Sequence, residues 1–105
     1  LNSKEVTMSI AVVGGMDKLR GDYRRVAVRY GVSLYHFERD CPRLEERLGG
    51  MDAIIVFTYR VSHNAREKAL SKKREGIPVL MCHSTGSVSS LKRCFEGITN
   101  ERSIN

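Results

Sequence analysis

Three histidines, His36, His63 and His83, are the residues of this chain best suited to chemistry. Neutral imidazole is the commonest protein ligand for a metal ion or a haem iron. Each histidine lies within or just beyond a different short apolar run: Val32–Phe37, Ala53–Thr58 and Gly76–Cys82. With Cys82 they could supply four ligands to a tetrahedral zinc ion, though no short spacing motif links them. Arg60 and Ser62 precede His63, and Ser84-Thr85-Gly86-Ser87 follows His83. Hydroxyls and a glycine ahead of a helix can cradle an anion; helix capping by Ser84 or Ser87 is the plainer use of the same residues. Gly14-Gly15 resembles the opening of a dinucleotide-binding turn without completing GxGxxG, and a tight turn alone would also require such glycines.

Those residues matter together only if the fold gathers them, and the pattern of the chain says that it does. Ile10–Val13 reads as a buried strand running into Gly14-Gly15. Asp17 offers a helix start, and Leu19, Tyr23, Val26 and Tyr30 form one helical face that Gly31 ends. A second strand, Val32–Phe37, follows, and then a short helix opened by Pro42 with Leu44 and Leu48 inward. Ala53–Thr58 is continuously apolar and is therefore expected to be a central strand. A charged helix over about 64–75, a fourth strand over Gly76–His83, and a last helix with Val88, Leu91 and Phe95 inward complete the series. Strands alternating with helices imply parallel βαβ units with right-handed crossovers. The expected fold is a small Rossmann-like or flavodoxin-like α/β sandwich with a four-stranded sheet in the order 2-1-3-4. Ligands of such sheets bind beyond the carboxyl ends of the strands, where all three histidines fall. Residues 1–8 read as a linker or remnant, 9–97 as one domain, and 98–105 as a polar tail.

The 105 residues suit a single domain. No apolar run approaches a membrane span, so a cytoplasmic protein without membrane partners is expected. Three cysteines without a CxxC pair argue against a disulfide framework and read as small buried hydrophobes. The net charge of +6 suits an anionic partner. It arises on two helices, one with Lys18, Arg20, Arg24, Arg25 and Arg29, the other with Arg66, Lys68, Lys72, Lys73 and Arg74.

Val13-Gly14-Gly15, the turn Val61-Ser62-His63 and the close Ser84-Thr85-Gly86-Ser87-Val88-Ser89-Ser90-Leu91 resemble the bacterial domain-of-unknown-function 2325 (DUF2325) family, over about Ile10 to Phe95. The resemblance implies the same small α/β fold and an association with haem. It singles out His63 as the axial ligand and His36 as a second ligand or distal residue, and leaves His83 without a counterpart. Tyr59-Arg60 departs from the smaller or acidic residues of many members. The reading is then a cytosolic haem-binding protein that senses gas or transfers electrons, with a homodimer among its expected partners. His63 and His36 would hold the iron, and Arg60, Ser62, Ser84, Thr85, Ser87 and the Gly14-Gly15 turn would surround the cofactor. Phe57, Tyr59 and Met81 would form its apolar wall. The competing reading is a nucleic-acid or nucleotide-phosphate module built on the basic helices and the Ser84–Ser87 loop, and a third is a plain interaction domain. No nucleophile–base–orienter set is present to suggest an enzyme.

Overall fold

The computed structural model describes residues 7–104. Four strands, β1 (Met8–Val13), β2 (Val32–Phe37), β3 (Ala53–Phe57) and β4 (Val79–Cys82), form one all-parallel sheet in the order 2-1-3-4. The helices are α1 (Arg20–Arg29), led in by a 3-10 turn at Asp17–Leu19, then α2 (Leu44–Leu48), α3 (His63–Arg74) and α4 (Val88–Ile104). Topology and strand order are those expected from the alternation of apolar runs.

Alternation along the strands assigns each residue to a layer. Ile10 and Val12 of β1, Val32 and Leu34 of β2, and Ala53, Ile55 and Phe57 of β3 face α1 and α4. On these helices Tyr23, Val26 and Ala27, and Leu91, Cys94 and Phe95, recur at three- and four-residue spacing and close the first core. Ala11, Val13, Phe37, Ile54 and Val56 point the other way, onto Leu44 and Leu48 of α2 and Ala65 and Ala69 of α3. The two alanines let α3 lie close against the sheet. Strands β1 and β3, covered on both sides, are the most apolar, and burying an isoleucine such as Ile54 or Ile55 contributes about 2 kcal/mol.

Three boundaries differ from the sequence reading. Helix α3 starts at His63, because Ser62 caps it by accepting a hydrogen bond from the Ala65 amide at 3.2 Å. Helix α4 continues beyond Gly97 to Ile104, and Ile98 packs on the first core, so a tail starting at 98 begins inside a helix. Of the supposed linker 1–8, residues 1–6 lie outside the described ones, and Met8 already opens β1. Among the described residues no helix is long and apolar enough to cross a membrane.

Candidate functional site

The carboxyl edge of the sheet is a set of loops bonded to one another by backbone groups. Gly14 N–H donates to the Phe37 carbonyl at 2.8 Å and Gly15 N–H to that of Arg60 at 2.9 Å. Thr58 N–H donates to the Cys82 carbonyl at 2.9 Å and Tyr59 N–H to that of Ser84 at 3.1 Å. The Tyr23 hydroxyl donates to the Gly86 carbonyl at 2.6 Å and accepts from the Met16 amide at 3.1 Å. Loops of all four strands are thus held in one arrangement.

The glycines make that arrangement possible. Gly14 and Gly15 have φ of +91° and +82°, a region that side chains resist. A Cβ on Gly14 would lie 2.5 Å from the Arg60 carbonyl oxygen, and one on Gly15 would lie 2.8 Å from the Tyr23 hydroxyl. Close packing between loops therefore accounts for this pair without a nucleotide.

The serine loop is occupied by its own bonds. Ser84 Oγ accepts from the amides of Gly86 at 3.0 Å and Ser87 at 3.4 Å, while Ser87 Oγ accepts from Ser90 N–H at 3.2 Å. Capping takes up amides that an anion would have used. Thr85 is exposed and makes no side-chain hydrogen bond among the described residues.

The three histidines share the edge but not an environment. His36 turns its ring toward the layer of α1, edge-on to Tyr23 with centroids 5.0 Å apart, and its Nε2 lies 2.8 Å from the Gly14 carbonyl. With Nε2–H donating there, Nδ1 is a lone pair, buried and without a partner. His63 opens α3 in the opposite layer, exposed, with no side-chain hydrogen bond among the described residues. His83 is also exposed, but its ring is fixed. Its Nδ1 lies 2.9 Å from Thr58 Oγ1, and Tyr59 stacks on it at 6.0 Å with 30° between planes. Thr58 Oγ1 also donates to the Cys82 carbonyl at 3.3 Å, so its proton is directed away from the ring. With the Thr58 proton on that carbonyl, Nδ1–H of His83 donates to Thr58 and Nε2 carries the free lone pair.

Other expected parts sit differently. Phe57 is wholly buried in the first core and cannot line a ligand, and Met81 packs on the second core; Tyr59, 67% exposed, remains at the edge. Beside it Arg60, Lys18, Met16, Asp17 and Glu38 line a cleft of about 310 Å³. No group of three or more metal-ligating side chains comes together among the described residues, so the zinc set of three histidines and Cys82 does not assemble. The basic helices lie in opposite layers, α1 against α4 and α3 against α2, so their charges do not merge into one stripe. Five of those cations are paired with carboxylates: Arg20 with Asp17, Arg25 with Asp22, Arg66 with Glu67, Lys68 with Asp40 and Lys72 with Glu75.

A family model matches residues 9–98, nearly the whole of this architecture, and is described as an uncharacterized protein conserved in bacteria, DUF2325. The chain belongs to the DUF2325 family. Neither a curated protein nor a solved structure matches it. Membership in DUF2325 agrees with the resemblance read from Val61-Ser62-His63 and the serine-rich close, and leaves function to the site itself.

Half-buried His36 makes the stability of this DUF2325 fold depend on pH. Burial, the largest influence, lowers its pKa; the Gly14 carbonyl acts against this, Arg20 adds to it, and Asp17 and Glu38 oppose it. Protonation would place a second N–H where nothing accepts it. The unfolded chain takes up that proton near pH 6.5 and the native state only at lower pH, so stability falls as pH drops below about 6.5. The loss is complete once pH is under the folded pKa. Urea midpoints measured from pH 8 to pH 5 should show this decline, and His36→Gln, which keeps a donor for Gly14, should flatten it. An equal slope in that variant would assign the decline to other groups.

Proposed function

We propose that this protein binds haem at the carboxyl edge, with His83 Nε2 as the iron ligand. The observation that carries the reading is the Thr58–His83 hydrogen bond, 2.9 Å from Oγ1 to Nδ1. A ligating histidine characteristically donates its other ring N–H to an oxygen, which fixes ring and tautomer and makes the free nitrogen more basic. His83 has that partner, is exposed, and carries Tyr59 stacked against it. Arg60 and Lys18, on the cleft beside the edge, are the cations available to the two propionates. Bound haem would supply an iron open to a small ligand or to an electron, with the protein contributing the axial imidazole and its hydrogen bond.

The donor set fits haem through His83 better than through the residues favoured by sequence. His36 has one nitrogen engaged by Gly14 and the other sealed under α1. His63 is accessible, but among the described residues no hydrogen bond orients its ring. The phosphate alternative is weaker, because the hydroxyls of Ser84 and Ser87 are spent on the loop itself and the positive charge is divided between two layers.

Titration with haemin tests the proposal. The unaltered protein should give a Soret band shifted from that of free haemin. His83→Ala should remove the shift, His63→Ala should retain it, and Thr58→Val should weaken binding roughly 10- to 100-fold. Loss with His63→Ala and retention with His83→Ala would restore the ligand named by the sequence. No spectral change with the unaltered protein would end the haem reading.

A further inference from the structure

Strand β4 is an edge of the sheet and pairs only with β3 among the described residues. Two hydrogen bonds fix which of its backbone groups face outward. The Pro78 carbonyl accepts from Ile54 N–H and the Cys82 carbonyl from Thr58 N–H, both at 2.9 Å. Alternate residues of a strand direct their N–H and C=O to opposite sides, so residues 78, 80 and 82 are committed to β3. Val79 and Met81 turn both groups to the open side, where none of the four has a partner among the described residues. Edges are ordinarily guarded by charge, by proline or by a covering element. From Gly76 to Cys82 there is no charged residue, and Pro78 has its backbone toward β3, which leaves the open side unguarded. Leu80 is 40% exposed, and Val79, Met81 and Cys82 are half-buried. The opposite edge, β2, is mixed, with Ser33, Tyr35 and His36 among its six residues.

We propose that the open edge of β4 pairs with β4 of a second copy of this chain, antiparallel about a two-fold axis that passes beside Leu80 and is normal to the sheet. In that register Val79 lies opposite the partner's Met81, and Met81 opposite the partner's Val79. Each such pair exchanges two N–H···O bonds, so four bonds use every open group of both strands. Leu80 then faces the partner's Leu80 as the non-hydrogen-bonded pair, in which Cα atoms are about 4.5 Å apart and side chains are closest. An axis normal to the sheet keeps each layer on its own side, so α4 comes beside its counterpart and α3 beside its own. Two four-stranded sheets become one of eight strands. Nothing in this pairing requires haem at the carboxyl edge, and it stands apart from that reading.

Charge and area favour a second copy as the occupant. An uncharged strand meets itself without placing like charges across the axis, and its exposed leucine finds a leucine. Four residues span only about 13 Å, whereas a stable interface buries roughly 1,200 Å² or more, so the contact must reach beyond the strand. The apolar surface for this is present. A cleft of about 230 Å³ adjoins Leu80 at the amino ends of β3 and β4, lined by Met8, Pro78, Val79 and Ile98 of α4 as well. Asp52, which also lines it, accepts a hydrogen bond from the Ser9 amide at 2.7 Å. The two-fold brings this cleft and the flank of α4 that carries Ile98 into the interface from both copies.

Sedimentation equilibrium of the unaltered chain, over a concentration series into the high micromolar range, tests the pairing. A species of twice the chain's mass is expected. Leu80→Lys sets two like charges opposite each other at the axis and should abolish that species. Tyr35→Lys, an equally exposed position on the opposite edge, should leave it intact. Amide exchange read by NMR on the unaltered chain gives a second measurement that no variant can confuse. The Val79 and Met81 amides should exchange freely at dilution and become protected as the dimer fills. A chain that stays monomeric throughout would overturn the second copy as occupant and leave the edge to an extended segment of another protein. A dimer that survives Leu80→Lys, that is lost with Tyr35→Lys, or in which the Val79 and Met81 amides still exchange freely, would overturn β4 as the interface.

Discussion

Replacing Gly86 by alanine should destabilise the protein by about 3 kcal/mol, the sum of a left-handed backbone penalty and an overpacked contact. Gly86 has φ of +111°, where an L side chain is strained in any surroundings. Here the surroundings are full as well. The new Cβ would lie 2.6 Å from the Tyr23 hydroxyl and 2.8 Å from the Gly15 Cα, and the second of these is backbone that cannot swing aside. The β4–α4 loop would have to withdraw from the β1–α1 loop, stretching the Tyr23 bond that joins them. Gly31 is the natural control: its φ is +66°, and a Cβ there meets nothing within 4 Å. Gly31→Ala should cost about 1 kcal/mol, the conformational part alone. Urea denaturation of both variants measures the difference. Equal costs would show that loop packing at Gly86 is not what holds the edge together.

The contrast between those glycines marks what the chain discloses when read in one dimension. Strands and helices were legible because each is written in a local period. Ile10–Val13 and Ala53–Thr58 are continuous apolar runs, and Tyr23 with Val26, or Leu91 with Phe95, repeats at helical spacing. Two parallel strands cannot be joined by a tight turn, so intervening helices also made the sheet parallel. Caps were harder. His63 is polar and follows a turn, and only the bond from Ala65 N–H to Ser62 Oγ makes it the first helical residue.

The site was legible as a place and not as a set of contacts. Carboxyl-edge positions for the histidines follow from the strand ends, whereas their different surroundings follow from side-chain direction and register. His36 shares its parity with Val32 and Leu34, which both face α1 and α4, so alternation along β2 was a usable signal for burial of its ring. The partner of His83 was within reach too. Phe57 pairs with Cys82 in adjacent parallel strands, and one step further along that register Thr58 meets His83. Resemblance to the family pointed to His63 through its neighbours Val61 and Ser62, yet Ser62 is explained by capping α3.

Tyr23→Phe should cost about 2–3 kcal/mol, although it removes a single oxygen. The ring is fully buried and keeps its contacts with Phe57 and His36 in the variant. What disappears is a hydroxyl that serves two loops at once, donating to the Gly86 carbonyl and accepting from the Met16 amide. Gly86 is buried, so its carbonyl finds no water to replace the lost donor, and an unpaired buried group bears its full desolvation cost. Burial also raises the Tyr23 pKa, which keeps the phenol protonated and able to donate through neutral pH. The two substitutions should not be additive. Removing the oxygen clears one of the two obstructions that an alanine at position 86 would meet and leaves the Gly15 Cα in place. The double variant Tyr23→Phe with Gly86→Ala should therefore be more stable than the sum of the single costs implies, by about 1 kcal/mol, as expected for residues in direct contact. A double-mutant cycle from urea midpoints reads that coupling directly, and strict additivity would mean that the hydroxyl neither blocks position 86 nor depends on it.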